Sequence, residues 1–368
     1  MKRTYSFLTV IILSVFIFGA EGKSQTTTQP SSGLQETLTK LTGNAGEAYV
    51  SPIISAFGAN LNSGWVHKSP SSKIFGIDLE VGVVAMATMF GDNNKTFNSS
   101  GTFRFSQAQA RSMIDQSNDP KIGLLLNYQK DELAAKVAQQ EFTVGISGPT
   151  IVGKKESEVM VDFSGANITY NAQTYKVDPQ SIATGAKGFL GDLSALPFFA
   201  PQFSLGTVYG TMATFRFLPS VNIQDLGKFS YFGFGLQHNP AMFIPVPLPV
   251  DVSAAFFTQS LKVGDIFKAT ATTFGLYVSK TFGLGISITP FAGFAIESSS
   301  VDVSYDVQYA PLAVGQPVIK DKISFTMKGE NSSRFTIGAS IKLALLNLSV
   351  DYSLAKYKSA SLGVNFIF

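Results

Sequence analysis

Cysteine is absent from the 368 residues. The chain therefore has no disulfide, no thiol nucleophile and no thiolate metal ligand. Charge is scarce as well. Asp, Glu, Lys and Arg make up 14% of the chain, against about 25% in ordinary soluble domains. A formal net charge of +3 is too small to point to nucleic acid, and no basic cluster is interleaved with aromatics. The two histidines, His67 and His238, lie far apart and are expected at an interface or in a loop rather than as ligands. Gly233–His238 lacks the strand–turn–helix setting of a nucleotide loop, and no G-x-S-x-G elbow occurs. The sequence thus implies no enzyme, no metal and no organic cofactor. Long apolar runs are also missing. Beyond the first residues none reaches the length of about 18 that a membrane helix needs, which excludes helical spans.

What is present is apolar and aromatic: 45% hydrophobic residues, 32 Phe and 33 Gly. Lys2 and Arg3 precede the apolar stretch Ser6–Phe18, and small residues follow at Gly19–Gly22. This reads as a signal peptide over 1–22, cleaved near Ala20–Gly22, because the apolar stretch is too short to span a bilayer. Residues 23–48 read as a polar linker, Thr-, Gln- and Ser-rich, with a short helix carried by Leu34, Leu38 and Leu41.

From residue 49 onward the dominant period is two. Phe335, Ile337, Ala339, Ile341 and Leu343 alternate with Arg334, Thr336, Gly338, Ser340 and Lys342. Leu362, Val364, Phe366 and Phe368 alternate with Ser361, Gly363 and Asn365, and Ile367 alone breaks the rule. Phe75–Ala85, Phe203–Phe217, Phe274–Val278 and Phe282–Thr289 behave alike. A soluble antiparallel sandwich also alternates. Three features separate the two readings. The alternating runs exceed the five or six residues or so of soluble strands. The second parity is Gly, Ser and Thr with sparse mixed charge, which suits a lumen. Phe and Tyr cluster near strand ends like the girdles of outer-membrane barrels. The expected fold is all-β: an antiparallel transmembrane β-barrel over 49–368 with about 12 strands, 10 to 14 within boundary error, closed because lipid tolerates no open sheet edge.

Orientation is argued back from Phe368, since such barrels have even strand numbers and short periplasmic turns. The last strand runs towards the periplasm. Leu345–Asn347 and Thr281–Gly285 become periplasmic turns, and Lys356–Lys358 becomes an outer one. Tyr305–Ser333 becomes a long outer loop with a hairpin extension at Ile323–Met327. The proline-rich stretch 238–250, with Pro240, Pro245, Pro247 and Pro249, is a connector whose side is left open. Residues 106–201 are read as helical and loop inserts, with one helix over Ile122–Val137, a second over Ile182–Leu196, and strands at Glu141–Val152 and Glu158–Tyr170. They are an outer lid, a periplasmic piece or a lumen plug.

Six charges are assigned to the lumen parity: Asp78, Glu80, Lys280, Arg334, Lys342 and Asp351. On a lipid face such charges cost up to about 2–4 kcal/mol at the midplane. They either pair with one another in a filled barrel or line a polar path of little ion selectivity. Phe366 and Phe368 read as the C-terminal signal for barrel assembly.

The phrases "NSGWVHK", "LPFFAPQ", "GTMATFRFLP", "FGFGLQHNP", "PLPVDVSAAFFTQSLKVGD" and "TPFAGFAIESS" resemble an uncharacterised family of exported Gram-negative barrel proteins, a domain of unknown function. The resemblance covers most of Tyr49–Phe368. It implies a barrel and brings no functional residues. In architecture alone, the N-terminal helix and apolar inserts are similar to long-chain fatty acid transporter barrels, and fold does not give function. The expectation is an outer-membrane channel or transporter for a small, hydrophobic solute. The alternative is a structural barrel anchoring a partner complex of the envelope. Expected partners are membrane lipid, the outer-membrane assembly machinery and a small hydrophobic ligand, with no nucleic acid.

Overall fold

The computed structural model describes residues 44–72, 74–223, 227–244, 248–309 and 319–368. The expected signal peptide and the Leu34–Leu41 helix lie outside the described residues. In chain order the elements are helix α1 (Asn44–Leu61) and strand β1 (Phe75–Met89), then β2 (Thr96–Phe103), α2 (Gln107–Asp115), α3 (Pro120–Gly123), α4 (Asn127–Gln139), β3 (Phe142–Pro149), β4 (Glu158–Phe163), β5 (Ala166–Tyr170), β6 (Gln173–Val177) and β7 (Gln180–Lys187). They continue with β8 (Ala195–Val208), β9 (Thr211–Ile223), β10 (Gly227–His238), β11 (Asp251–Val263), β12 (Phe267–Ser279), β13 (Ile286–Tyr309), β14 (Ile319–Lys328), β15 (Ser333–Leu343), β16 (Leu346–Leu354) and β17 (Ser359–Ile367). The described chain forms two units, one within residues 53–91 and 193–368, the other within residues 44–52 and 92–192.

The first unit is a closed antiparallel barrel. Its strands run in the order β12-β11-β10-β9-β8-β1-β17-β16-β15-β13, and β12 pairs with β13 to complete the ring. Closure joins the first and last strands, from Thr88↔Ser359 to Glu80↔Ile367. Beyond it, Phe368 exchanges backbone hydrogen bonds with Leu79 (2.8 and 3.4 Å).

The ring has ten strands rather than about 12. β14 pairs only with the Ser300–Tyr309 overhang of β13 and adds nothing to the wall. The strands read at Glu141–Tyr170 belong to the other unit. The proline-rich connector is at the Phe368 end. Asn239 donates its backbone N–H to Gly210 and Tyr209 donates to Ile74, beside the start of β1 (2.8 and 3.0 Å).

Strand parity sorts the barrel's two faces. Val81, Val83, Phe203, Leu205, Phe217, Leu276 and Phe294 are exposed, while the alternate Gly, Ser, Thr and charged positions are buried. This inverts the rule for soluble proteins and leaves an apolar band far larger than a soluble monomer tolerates. Phe366 and Phe368 lie on the outer parity and Ile367 faces in. Among the described residues no helix is long and apolar enough to cross a membrane.

The second unit has its own core. A sheet of order β2-β3-β4-β7 and a β5–β6 hairpin accompany the packed helices α2 and α4. The rings of Phe105, Phe142 and Phe163 meet with centroids 5.2–5.7 Å apart. Met113 and Ile114 of α2 and Leu133 and Val137 of α4 are buried at helical spacing. Asp119 caps α3, accepting from the backbone N–H of Lys176 (2.7 Å) and Lys121 (3.0 Å). These two donors hold its carboxyl below the usual carboxylate range. Residues 182–196 are not helical. They enter strands β7 and β8, and Gly185 and Gly191 adopt positive φ of 74° and 66°, which no helix accommodates.

Candidate functional site: the filled lumen

Residues 53–72 run through the barrel from one end to the other. At the end where β1 finishes, Ser55 accepts from the Glu330 backbone (3.2 Å) and Asn60 from Thr88 of β1 (2.7 Å). At the Phe368 end, the carbonyl of Pro70 accepts from Asn239 (2.7 Å) and Ser69 meets Ser279 and Ser253 (2.9 and 3.0 Å). The filling is the second half of α1 followed by Asn62–Lys68, the "NSGWVHK" phrase.

A helix end inside a barrel poses an acute problem, because its last carbonyls lack partners within the helix. Here every carbonyl from Gly58 to Gly64 is satisfied. Gly58 and Asn60 accept from the backbone of Asn62 and Ser63 (3.1 and 3.0 Å). Ala59 accepts from the Ser63 hydroxyl (2.6 Å), and Leu61 from the Trp65 indole (2.8 Å). Two wall arginines supply the rest. Arg334 of β15 donates to the carbonyls of Asn62 (3.0 Å) and Ala59 (3.1 Å) and to the Ser63 hydroxyl (2.8 Å). Arg216 of β9 donates to the carbonyls of Ser63 (2.9 Å) and Gly64. Cations at a helix C-terminus also oppose the helix dipole favourably.

Each arginine is fixed from the wall side. Arg334 forms an ion pair with Glu297 of β13 at 2.6 Å, and both side chains are about 98% buried or more. Arg216 donates to Gln202 of β8 (3.0 Å), and its guanidinium lies 4.0 Å from the Trp65 ring centroid. Trp65 stacks on Phe257 of β11 at 4.9 Å. Glycines of β10 make room for it: a Cβ at Gly233 would stand 2.8 Å from the indole, and one at Gly235 3.1 Å. Further along, Glu80 of β1 receives His67 (3.2 Å) and Lys68 (2.9 Å). The void lined by Asn62, Trp65, Tyr277, Thr336, Asp351 and Ser353 measures ≈ 10 Å³, room for about one water.

The six charges chosen from sequence separate into two groups. Glu80, Arg334 and Asp351 are buried in the lumen, where Asp351 accepts from Ser361 of β17. Asp78 is half-buried near the Phe368 end and accepts from Thr207 (2.9 Å). Lys342 is half-buried near the end of β15, opposite Asn347. Lys280 does not face the lumen. It follows β12 on the parity of Leu276 and Val278, is exposed, and donates to the carbonyl of Pro249. His67 lies in the irregular stretch after α1, buried, with its Nε2 3.2 Å from Glu80, and His238 ends β10 and meets Thr211 (3.0 Å). Arg216 and Glu297 were missed. Their signal is the one that selected Arg334: a charge on the Gly/Thr/Ser parity of an otherwise apolar strand. Trp65 carried no such signal.

Residues 1–368 match a family of unknown function, DUF6588. The chain belongs to this family. The phrases that carry the resemblance converge on the lumen: they hold Trp65, Gln202, Arg216, Gly233, Phe257 and Glu297. No curated protein matches the sequence. Among solved structures, the chain of this DUF6588 member is similar to OmpT of Vibrio cholerae lacking loop L8, an outer-membrane protein, at 6% identity over 80% of this chain and 100% of that one, with a TM-score of 0.21. It is also similar to the CymD monoaromatic hydrocarbon channel (6%, 87% and 97%, 0.19) and to the outer-membrane channel DcaP of Acinetobacter baumannii (10%, 82% and 100%, 0.18). At such scores the account of the barrel rests on its own strand pairing.

Proposed function

We propose that this protein is an outer-membrane β-barrel with a closed lumen, acting as a structural anchor that holds the 92–192 unit for a partner of the cell envelope. One observation carries the reading: residues 53–72 fill the lumen and are fixed there by Arg216 and Arg334. A porin needs a continuous wet path, and a transporter of small hydrophobic solutes needs an apolar cavity of about 300 Å³ or more. Neither fits the stretch of lumen beside Asp351, where the void measures ≈ 10 Å³, and the filling by residues 53–72 favours the anchor over transport. The exposed apolar wall and the closed ring support membrane insertion. Phe366 and Phe368, on the outer parity of the closing strand, fit recognition by the assembly machinery. With the closing strand running inward, the Phe368 end faces the periplasm.

The test is planar-bilayer recording of the refolded full chain. The expected result is a silent membrane, and steady conductance from the unaltered chain would refute the closed lumen. Cross-linking in intact envelopes tests the anchor role. A partner should be captured by the full chain and lost when 92–192 is replaced by a short linker that leaves the barrel membrane-bound.

A further inference from the structure

The outer wall carries a groove that the anchor reading does not use. It has a volume of ≈ 350 Å³ and is lined by Val250, Val278, Lys280, Pro290, Ala292 and Ile337, together with the backbone-facing parts of their inward neighbours. Register explains it. Val278, Ala292 and Ile337 stand side by side on β12, β13 and β15. Ala292 is a methyl-sized floor in a row otherwise built of larger side chains. Along β13 it is flanked by Pro290 and by Phe294, which is 56% exposed. The groove thus lies in the apolar band, near the Phe368 end. Lys280 stands at its mouth, exposed, with its ammonium on the Pro249 carbonyl. Among the described residues it forms no ion pair; Asp251, on the lumen parity across from Ser279, is the acid within electrostatic range.

We infer that this groove holds one glycerophospholipid, an acyl chain lying over Ala292 and the phosphate at Lys280. The chemistry is complementary at both ends. The floor and walls are hydrocarbon, a chain laid there loses no hydrogen bond, and the one cation sits at headgroup depth, where long basic side chains reach the interface. The inference rests on the membrane reading above. The periplasmic leaflet, in which it places the groove, supplies phospholipid.

The test is native mass spectrometry of the full chain extracted from membranes in mild detergent and released in the gas phase. One phospholipid adduct is expected on the unaltered protein. Ala292→Phe fills the floor and should lower the retained fraction by about tenfold, the factor equivalent to losing the burial of roughly two methylenes. Lys280→Ala should lower it about threefold, the scale of an exposed ion pair. Phe294→Ala, next to the groove, widens it and should retain the adduct. Absence of an adduct on the unaltered chain, or equal retention in Ala292→Phe, overturns the site. Carbonate extraction of the same membranes separates the two proposals: a barrel that stays membrane-bound without a retained lipid loses the groove alone, whereas release into the wash removes the membrane reading.

Discussion

Arg334→Met is the most informative perturbation of the lumen. Methionine keeps much of the side-chain length and removes the charge and all donors. Glu297 is then a buried carboxylate without its cation, since both Arg334 nitrogens fall on Oε2. Breaking a buried pair in this way costs about 3–5 kcal/mol. The carbonyl of Asn62 also loses its donor, at about 1–3 kcal/mol. Ala59 is less affected, because the Ser63 hydroxyl still donates to it (2.6 Å). The expected loss is therefore about 4–8 kcal/mol. Glu297→Gln in the same chain removes the stranded charge, so the double variant should recover a large part of the loss, with a coupling energy of about 2 kcal/mol or more. The assay is urea unfolding from lipid vesicles, followed by tryptophan fluorescence. The chain has a single Trp, and Trp65 lies under Arg216 and against Phe257, so the signal reports lumen packing directly. A loss below about 1 kcal/mol in Arg334→Met, or strict additivity of the two changes, would refute the view that the pair anchors the filling.

Gly64 has φ +67°, and a Cβ there would meet Val84 at 2.7 Å. Gly64→Ala should cost about 2 kcal/mol or more, read as a lower urea midpoint. In the 92–192 unit, the Asp119 carboxyl is held below its ordinary value, so its contribution is present above the usual carboxylate range and is lost as pH falls through the depressed value. The protection of the Lys121 and Lys176 amides against hydrogen exchange, taken relative to the intrinsic rate at each pH, should fall in acid, and Asp119→Asn should remove that pH dependence. A chain ending at Ile367 loses both backbone bonds to Leu79, worth about 1–3 kcal/mol together; an unchanged unfolding midpoint would show that closure does not depend on them.

The wall was legible and its filling was not, for one physical reason. An apolar exterior and a polar lining impose period two, so Arg334–Leu345 reads within two residues of β15, and the Thr281–Gly285 turn falls between β12 and β13. The outward parity of Phe366 and Phe368 followed from the same rule. Residues 53–72 obey no such rule. They are enclosed by a wall that mixes Ser, Thr, Gln and Arg with Phe257, Tyr277 and Ala255, so Ser, Asn and Gly are as suitable inside as Ile and Trp, and no apolar stripe develops. The count of about 12 strands has another cause: the short alternating strands within Glu141–Tyr170 belong to the other unit and not to the ring. Lys280 was placed inward although it shares parity with Leu276 and Val278, and one residue of slip reverses a side chain's face.

The filled lumen also constrains the order in which the protein is made. Ser63 meets Ser359 across 296 residues of sequence, and Arg334 reaches Ala59 across 275. Contacts so distant require large loop closures before they return any stabilisation. The first strand, the last strand and the segment between helix and barrel are therefore stabilised by contacts that form only once distant parts of the chain have met. Until β17 arrives, the Ser63 hydroxyl lacks Ser359 and one edge of β1 is bare. Sealing the ring and ordering its contents share contacts, so a defect in the interior should surface as slower refolding as well as lowered stability of the finished barrel.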